Sequence, residues 1–542
     1  MESINTVFTK AIKFQYHCFD RIVINCYILH LLWEANIVHF FKKVNKVKKI
    51  TKEVMQQRTK CYRQWVESYA KNRKIPIVWP EKEKGKPKRK EDQVLPFQQK
   101  AQRKSHFGVY YIIKSMEQGI TYRISKPKFP TKDENHMILK KTFQRYTFYY
   151  FYLIDPVLGP MSLKIGSYFP FPAMAYLNGH SFIAERLKKK NKRFTKNDNA
   201  FLSIEHPEVL QQVADELSPE IITERLNYWT FVLGPKFSKH EREEMNLDRS
   251  YSLAQVEYCK NIIFYQHFPI TRLFQSACQL GLLLLQASSI SRLFGKRITK
   301  RIKGKLQHTL EKSGQGYFVL RSYFKNGFVK QYIKFSNYLR TEATSNNLPD
   351  LGIRKSLGNL PVIKKTLADI VDRYLHHQCS VMQATPETLA SDTLTQPVFK
   401  GKTRIPGISI KDKRTHRVMK TLLHLSATAI PLTNKSLYTR LLEMHALSES
   451  EYSFSQLRYD MRKLIAHGIV KRIGKSYTYC LTDSGVKISA SMVILNEKIF
   501  TPAFSGSFIN GFYPEQINTP IIKLYKCLEK DFDKLIDYLK VA

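Results

Sequence analysis

Two acidic residues sit where a chain can hold a divalent cation. Asp155 ends the run RYTFYYFYLID (145–155) and begins the turn DPVLGP (155–160). A carboxylate at a strand end, joined by further acids such as Asp198, Glu342 and Asp350, can hold the two metal ions that clamp a scissile phosphate. Asp-Pro is equally a good turn starter, because the Asp side chain bonds its own backbone two residues on. Glu342 closes a second grouping, which runs Arg321-Ser-Tyr323-Phe-Lys325, Lys330-Gln-Tyr332-Ile-Lys334 and Leu339-Arg340-Thr-Glu342. Alternate residues of a strand share a face. Aromatic and cationic side chains would line one sheet face there, suited to gripping a polyanion and its bases. A tyrosine in that set can also attack a phosphate while Glu342 holds a metal.

Both patterns resemble DNA-processing proteins. Nucleases and transposases of the ribonuclease-H class place an Asp on their first strand, followed by a hairpin. Rolling-circle replication initiators carry similar "Y-K…LR-E" strands, with a histidine pair for the metal. No His-x-His occurs here. Those resemblances imply an enzyme that uses Mg²⁺ or Mn²⁺, with Asp155 and Glu342 as the catalytic candidates. The competing roles are a turn residue and a binding sheet without chemistry. His180, in Asn178-Gly179-His180 at an expected helix start, is either a general base or a structural residue of the cap. The eight cysteines (Cys18, Cys26, Cys61, Cys259, Cys278, Cys379, Cys480 and Cys527) include no C-x-x-C, so no zinc ribbon or redox motif is signalled and no metal ligands are assigned. There is no G-x-x-x-x-G-K-[ST], and no dinucleotide fingerprint follows a strand.

The elements that would position these residues follow from composition and period. The chain has 542 residues, 43% hydrophobic and 12% aromatic, enough for real cores. It has 88 Lys and Arg against 45 acids, a formal charge of +43. Such an excess repels itself unless a polyanion offsets it, and nucleic acid is the commonest one inside a cell. Between 291 and 340 there are thirteen Lys and Arg and one acid, Glu311. Residues 21–41 are apolar but interrupted by Asn25, His30, Glu34, Asn36 and His39, and 281–287 are too short to span a bilayer. With no signal peptide, the expectation is a cytoplasmic, nucleoid-associated protein with no membrane segment. Residues 1–79 read as helical, 80–104 as a basic linker, and 105–235 as a β-rich α+β domain with a hairpin of 146–154 and 161–169. Residues 236–383 read as a basic α+β domain, helical over 250–312, then stranded over 316–344 with a turn at Asn326-Gly327. A linker at 384–412 follows.

Residues 413–500 carry the sharpest pattern. Helices are expected at 413–428, 433–445 and 453–467, the second opening at Thr433 and the third stopping at Gly468. Ser453-x-x-Gln456 is a capping box. Phe454, Leu457, Met461 and Leu464 form one apolar stripe, while Ser455, Arg458, Tyr459 and Arg462 fall on the opposite side. Arg458 and Arg462 suit guanine edges or phosphates, Ser455 a phosphate, and Tyr459 either. Two strands at 469–482 would carry Lys471, Arg472 and Lys475 toward a hairpin tip. The order helix–helix–helix–hairpin–helix resembles winged-helix regulators of the MarR type. Leu457, Leu464, Gly468, Ile469, Val470, Arg472, Tyr479, Leu481, Thr482 and Gly485 match that family's recognition helix, wing and following helix. The resemblance covers under a fifth of the chain and implies DNA binding. The remainder resembles a group of uncharacterised bacterial proteins, which implies no activity. Residues 501–542 form an amphipathic tail, either packed on the winged domain or pairing two chains as a homodimer.

The reading is an α+β multidomain protein: a helical N-terminal region, a mixed β-rich central body and a C-terminal winged helix-turn-helix. Double-stranded DNA is the expected partner. The DNA-binding chain would be a DNA-processing protein of a mobile element. A non-enzymatic transcriptional regulator, a metal-dependent nuclease, transposase or replication initiator, and an RNA-binding protein are the alternatives. Arg321, Lys325, Lys330 and Lys334 join the C-terminal residues as candidate nucleic-acid contacts.

Overall fold

The structure, a computed structural model, describes residues 10–83, 86–87, 89–125, 138–266, 307–312, 318–324, 326–335, 337–382, 392–401, 403–409, 412–426, 432–473 and 477–496, with a few single positions besides. The contacts divide the chain into two units. One comprises Tyr16–Lys260 and Thr344–Leu367, the other Met1–Gln15, Asn261–Ala343 and Ala368–Ala542. It is a mixed α and β protein, consistent with the α+β expectation.

The first unit is built on long strands. They are β1 (Ile12–Ile28), β2 (Ile77–Val78), β3 (Gly108–Ser125), β4 (Ile138–Asp155), β5 (Gly159–Gly166), β6 (Ala173–Leu177) and β7 (Arg249–Phe264), in the spatial order β7-β1-β6-β5-β4-β3-β2. β3 and β4 pair antiparallel from Gly108↔Ile154 to Ser125↔Ile138, and β4 pairs β5 from Phe148↔Gly166 to Asp155↔Gly159. The expected hairpin is therefore present, with its first strand longer than the expected 146–154. Aromatic residues explain the length. Tyr146, Phe148, Tyr150 and Tyr152 share one face and pack with Val94, Tyr111 and Ile113. Phe151 and Leu153, on the other face, are fully buried. The unit's helices include α1 (Lys52–Asn72), α2 (Gly179–Lys189), α3 (Pro207–Asp215) and α4 (Pro219–Leu233). Each start has a local cause: Thr51, Asn178 and Ser218 accept from first-turn amides of α1, α2 and α4, and α3 opens on a proline.

Several expected elements differ. The N-terminal region is not wholly helical: residues 12–28 form a 17-residue strand. Its side chains are buried along most of their length, so the apolar run lacks the alternation that marks a half-exposed strand. Residues 249–264, expected as helix, form β7 for the same reason, with Val256, Tyr258, Cys259, Ile262 and Ile263 all buried. The basic linker contains a helix over Lys90–Arg103, anchored by Val94. The linker at 384–412 contributes Leu394 and Ile408 to the core of the C-terminal elements.

In the second unit, β8 (Gln307–Lys312), β9 (Phe318–Phe324), β10 (Gly327–Lys334) and β11 (Tyr338–Ser345) lie in that order. β9 and β10 close at Phe324↔Gly327, where a tight turn was expected. After α5 (Leu360–Met382) come α6 (Lys413–Ser426), β12 (Leu432–Thr433), α7 (Asn434–His445), α8 (Phe454–Ala466), β13 (Val470–Arg472), β14 (Thr478–Leu481) and α9 (Asp483–Leu495). The three short strands pair in the order β12-β14-β13. Val418, Leu422, Leu437, Leu441, Leu457, Met461, Leu464, Ile469 and Val486 fill one apolar core beneath them. Among the described residues no helix is long and apolar enough to cross a membrane. The amphipathic tail lies outside the described residues apart from single positions.

Candidate nucleic-acid interface

α8 owes its ends to its own sequence. Ser453 accepts from the amide of Gln456, and the Gln456 side chain accepts from the amide of Ser453 at 2.8 Å. Gly468, just past the helix, has φ +69°, a conformation glycine adopts without a Cβ penalty. Between those ends the helix is two-faced. Leu457, Met461 and Leu464 are buried and Phe454 packs partly against the same core. Ser455, Arg458, Tyr459 and Arg462 are all exposed, so the sequence-expected face is open.

That face is held by contacts the sequence does not advertise. Asp460, buried between the two stripes, accepts from the Tyr452 hydroxyl at 2.7 Å and pairs with Arg414 of α6 at 3.0 Å. Burial pushes its carboxyl above the usual range, against the pull of Tyr452 and Arg414. The Tyr438 hydroxyl of α7 donates to the Tyr452 carbonyl at 2.9 Å, and its ring meets Phe454 edge-on at 5.2 Å. α7 and α8 are thereby fixed at the turn that joins them. Arg458 lies over the Phe454 ring, 4.9 Å from its centroid, one turn back along α8. Arg414 lies 5.8 Å from the Tyr459 centroid and adds a cation on the Tyr459 side. No sequence spacing connects Arg414 to α8.

Beyond α8, Thr482 closes the strand pair onto the next helix. Its hydroxyl donates to the Gly468 carbonyl at 2.7 Å and accepts from the Gly485 amide at 2.9 Å. A Cβ on Gly485 would meet the Ile469 carbonyl oxygen at 2.0 Å, so glycine is required at that crossing. Lys471 and Arg472 are exposed on β13, and Arg472 lies over the Tyr477 ring at 4.8 Å. Lys475 lies outside the described residues.

The other candidates occupy different surroundings. Arg321 and Lys330 are directly opposed across β9 and β10. The Arg321 guanidinium lies over Phe328 at 5.2 Å. Lys330 pairs with Glu342, which also accepts from the Tyr332 hydroxyl at 2.8 Å and pairs with Arg340 at 2.5 Å. Glu342 and Arg340 are fully buried, and Lys334 is 8% exposed. Lys330 and Tyr332 of β10 thus face a buried ion cluster, Lys334 lies 5.0 Å from the Phe335 centroid, and Lys325 lies outside the described residues. Asp155, also fully buried, accepts through Oδ1 from the amides of Val157 and Leu158, both at 2.7 Å. Its Oδ2 accepts from Arg225 at 2.9 Å and from the Trp229 indole at 2.7 Å. Those contacts tie the β4–β5 turn to α4.

No family model matches the chain, and neither a curated protein nor a solved structure does.

Proposed function

We propose that residues 413–496 act as a winged helix-turn-helix that binds double-stranded DNA, with α8 as its recognition helix and the β13–β14 pair as its wing. One observation carries the reading: α8 buries Leu457, Met461 and Leu464 while Ser455, Arg458, Tyr459 and Arg462 stand exposed together on its other side. A helix with two guanidinium groups on an open face fits the major groove, where Arg pairs with the O6 and N7 of guanine. Lys471 and Arg472, on the strand beside it, suit phosphate contacts. Association with the nucleoid would follow from the same chemistry.

Double-stranded DNA is favoured over RNA because an exposed helix reads a wide groove, whereas sequence-specific RNA recognition relies on open sheets and stacked bases. The non-enzymatic form of the reading is favoured because Asp155 and Glu342 are both fully buried and each is engaged by cationic partners.

The test is selection of bound sequences from a random duplex pool, followed by gel shift. Expected is enrichment of a site carrying guanines and salt-sensitive binding of it by the full chain. Failure to retain any duplex at low salt refutes the reading. Incubation with supercoiled plasmid and Mg²⁺ or Mn²⁺ separates the enzymatic alternative. Nicking that Glu342→Gln abolishes would establish strand cleavage, and binding without nicking supports the binder.

A further inference from the structure

His180 and Cys259 lie 162 and 241 residues beyond Cys18 in the chain, yet the three side chains meet inside the first unit. Cys18 is on β1, Cys259 is on the adjacent strand β7, and His180 is the second residue of α2. The two Sγ atoms are 3.8 Å apart, well beyond a disulfide bond. His180 Nε2 is 3.5 Å from Cys18 Sγ and 3.9 Å from Cys259 Sγ, and its Nδ1 is 3.7 Å from Cys18 Sγ. All three residues are buried, with exposures of 2%, 0% and 0%. One further acid completes the arrangement. Asp20 Oδ1 lies 3.2 Å from His180 Nδ1. That carboxylate is itself held by Asn199 at 2.9 Å and by Asn178 at 3.5 Å.

The geometry points to a binding site for a thiophilic divalent cation of the Zn²⁺ class, with Cys18 Sγ, Cys259 Sγ and His180 Nε2 as ligands. Zinc bonds of about 2.3 Å to sulfur and about 2.0 Å to nitrogen, at a tetrahedral angle, place two sulfurs about 3.8 Å apart and each about 3.5 Å from the nitrogen. The measured edges are 3.8, 3.5 and 3.9 Å. Contact distances alone would also suit packed thiols; the Asp20 carboxylate held against His180 Nδ1 favours the metal. Nε2 lies within 3.9 Å of both sulfurs, while Nδ1, itself 3.7 Å from Cys18 Sγ, meets the Asp20 carboxylate at 3.2 Å; a metal on Nε2 would require the imidazole to turn so that its lone pair faces both sulfurs. In metal-bound histidines such a carboxylate fixes the tautomer and makes the ligand nitrogen more basic. Soft thiolates with an imidazole select zinc over calcium or magnesium, which take oxygen ligands.

The fold brings these atoms together deliberately close. A Cβ on Gly179 would lie 2.2 Å from the Phe19 carbonyl oxygen, so only glycine lets the start of α2 approach β1. Asn178 caps that start through the amides of His180 and Ser181. Bound metal would join two neighbouring strands to a helix terminus.

Metal content of the full chain, purified under reducing conditions without chelator and then given equimolar Zn²⁺ or Co²⁺, tests the site. Expected is one equivalent of zinc per chain. With Co²⁺, intense near-ultraviolet thiolate-to-metal absorption should appear. Cys18→Ser and Cys259→Ser should each lose the band, whereas Cys61→Ser, at an exposed position, should keep it. Asp20→Asn should weaken affinity by about 10–100-fold while the band persists at saturating Co²⁺. Should the serine variants fail to fold, the wild-type titration still decides. A wild-type chain that stays folded yet takes up no zinc and develops no cobalt band overturns the proposal. So does recovery of Cys18 and Cys259 as a disulfide under those reducing conditions.

Discussion

Truncating Arg458 and Arg462 to alanine separates a recognition helix from a merely soluble one. Both side chains are exposed, so their removal leaves the core beneath α8 intact. Among the described residues, the contact that Arg458 loses is the one with Phe454, 4.9 Å away, worth about 0.5–1 kcal/mol at an exposed site. The melting transition should therefore barely move. Binding should move much more. An arginine that pairs with a base contributes about 1–3 kcal/mol of discrimination, or roughly 5–150-fold in affinity for the selected site. The two arginines are one helical turn apart, so their effects couple, and the double variant should fall between the larger single loss and the sum. Lys471→Ala and Arg472→Ala should behave differently. Each phosphate contact contributes about 0.9 to the slope of log affinity against log salt, so each variant should flatten that slope by roughly one and weaken all sequences alike. Fluorescence anisotropy on a labelled duplex across a salt series measures both quantities. Lys239→Ala, a side chain 84% exposed in the first unit, serves as the charge control. A double arginine variant that binds the selected duplex as wild type does, at every salt concentration, would refute the assignment of α8.

Other outcomes follow from buried polar groups. Glu117 is pushed up by burial, but hydrogen bonds from Lys164, Lys90 and Tyr150 outweigh this and hold its carboxyl at about 2. Its folded value is depressed, so its stabilisation is present above the usual 4.5 and is lost as pH falls toward 2, with a ceiling of roughly 3 kcal/mol at neutral pH. Urea melts of Glu117→Gln should show lower stability at pH 7 and a flatter acid limb; an unchanged limb would count against the network. Asp155→Ala leaves Arg225, the Trp229 indole and two turn amides without their acceptor, and should cost about 3–5 kcal/mol by denaturant titration. A fully stable Asp155→Ala protein would mean those contacts are unimportant to the fold. Gly179→Ala should cost about 1–3 kcal/mol and abolish the cobalt band, since the added methyl group forces α2 away from Phe19. A variant that retains both stability and the band would show that close approach is unnecessary.

Where signals were local, the sequence alone was sufficient. The caps Thr433 and Ser453, the stop at Gly468 and the apolar stripe of α8 are set by neighbours within one or two turns, so residue spacing placed that helix within a residue or two of its observed ends. The hairpin at Asp155 was legible for the same reason. Strands β1 and β7 were not, because burial erased the alternation that distinguishes a strand from a buried helix. By residue type Asp155 was open to a turn or a metal role and Glu342 to a catalytic role or a binding sheet, and only the folded chain supplies the donors and cations that surround them. Cys18, His180 and Cys259 showed no motif at all. Their meeting depends on which strands pair and where α2 lands, and side chains 79 to 241 residues apart can only be brought together by the folded chain as a whole.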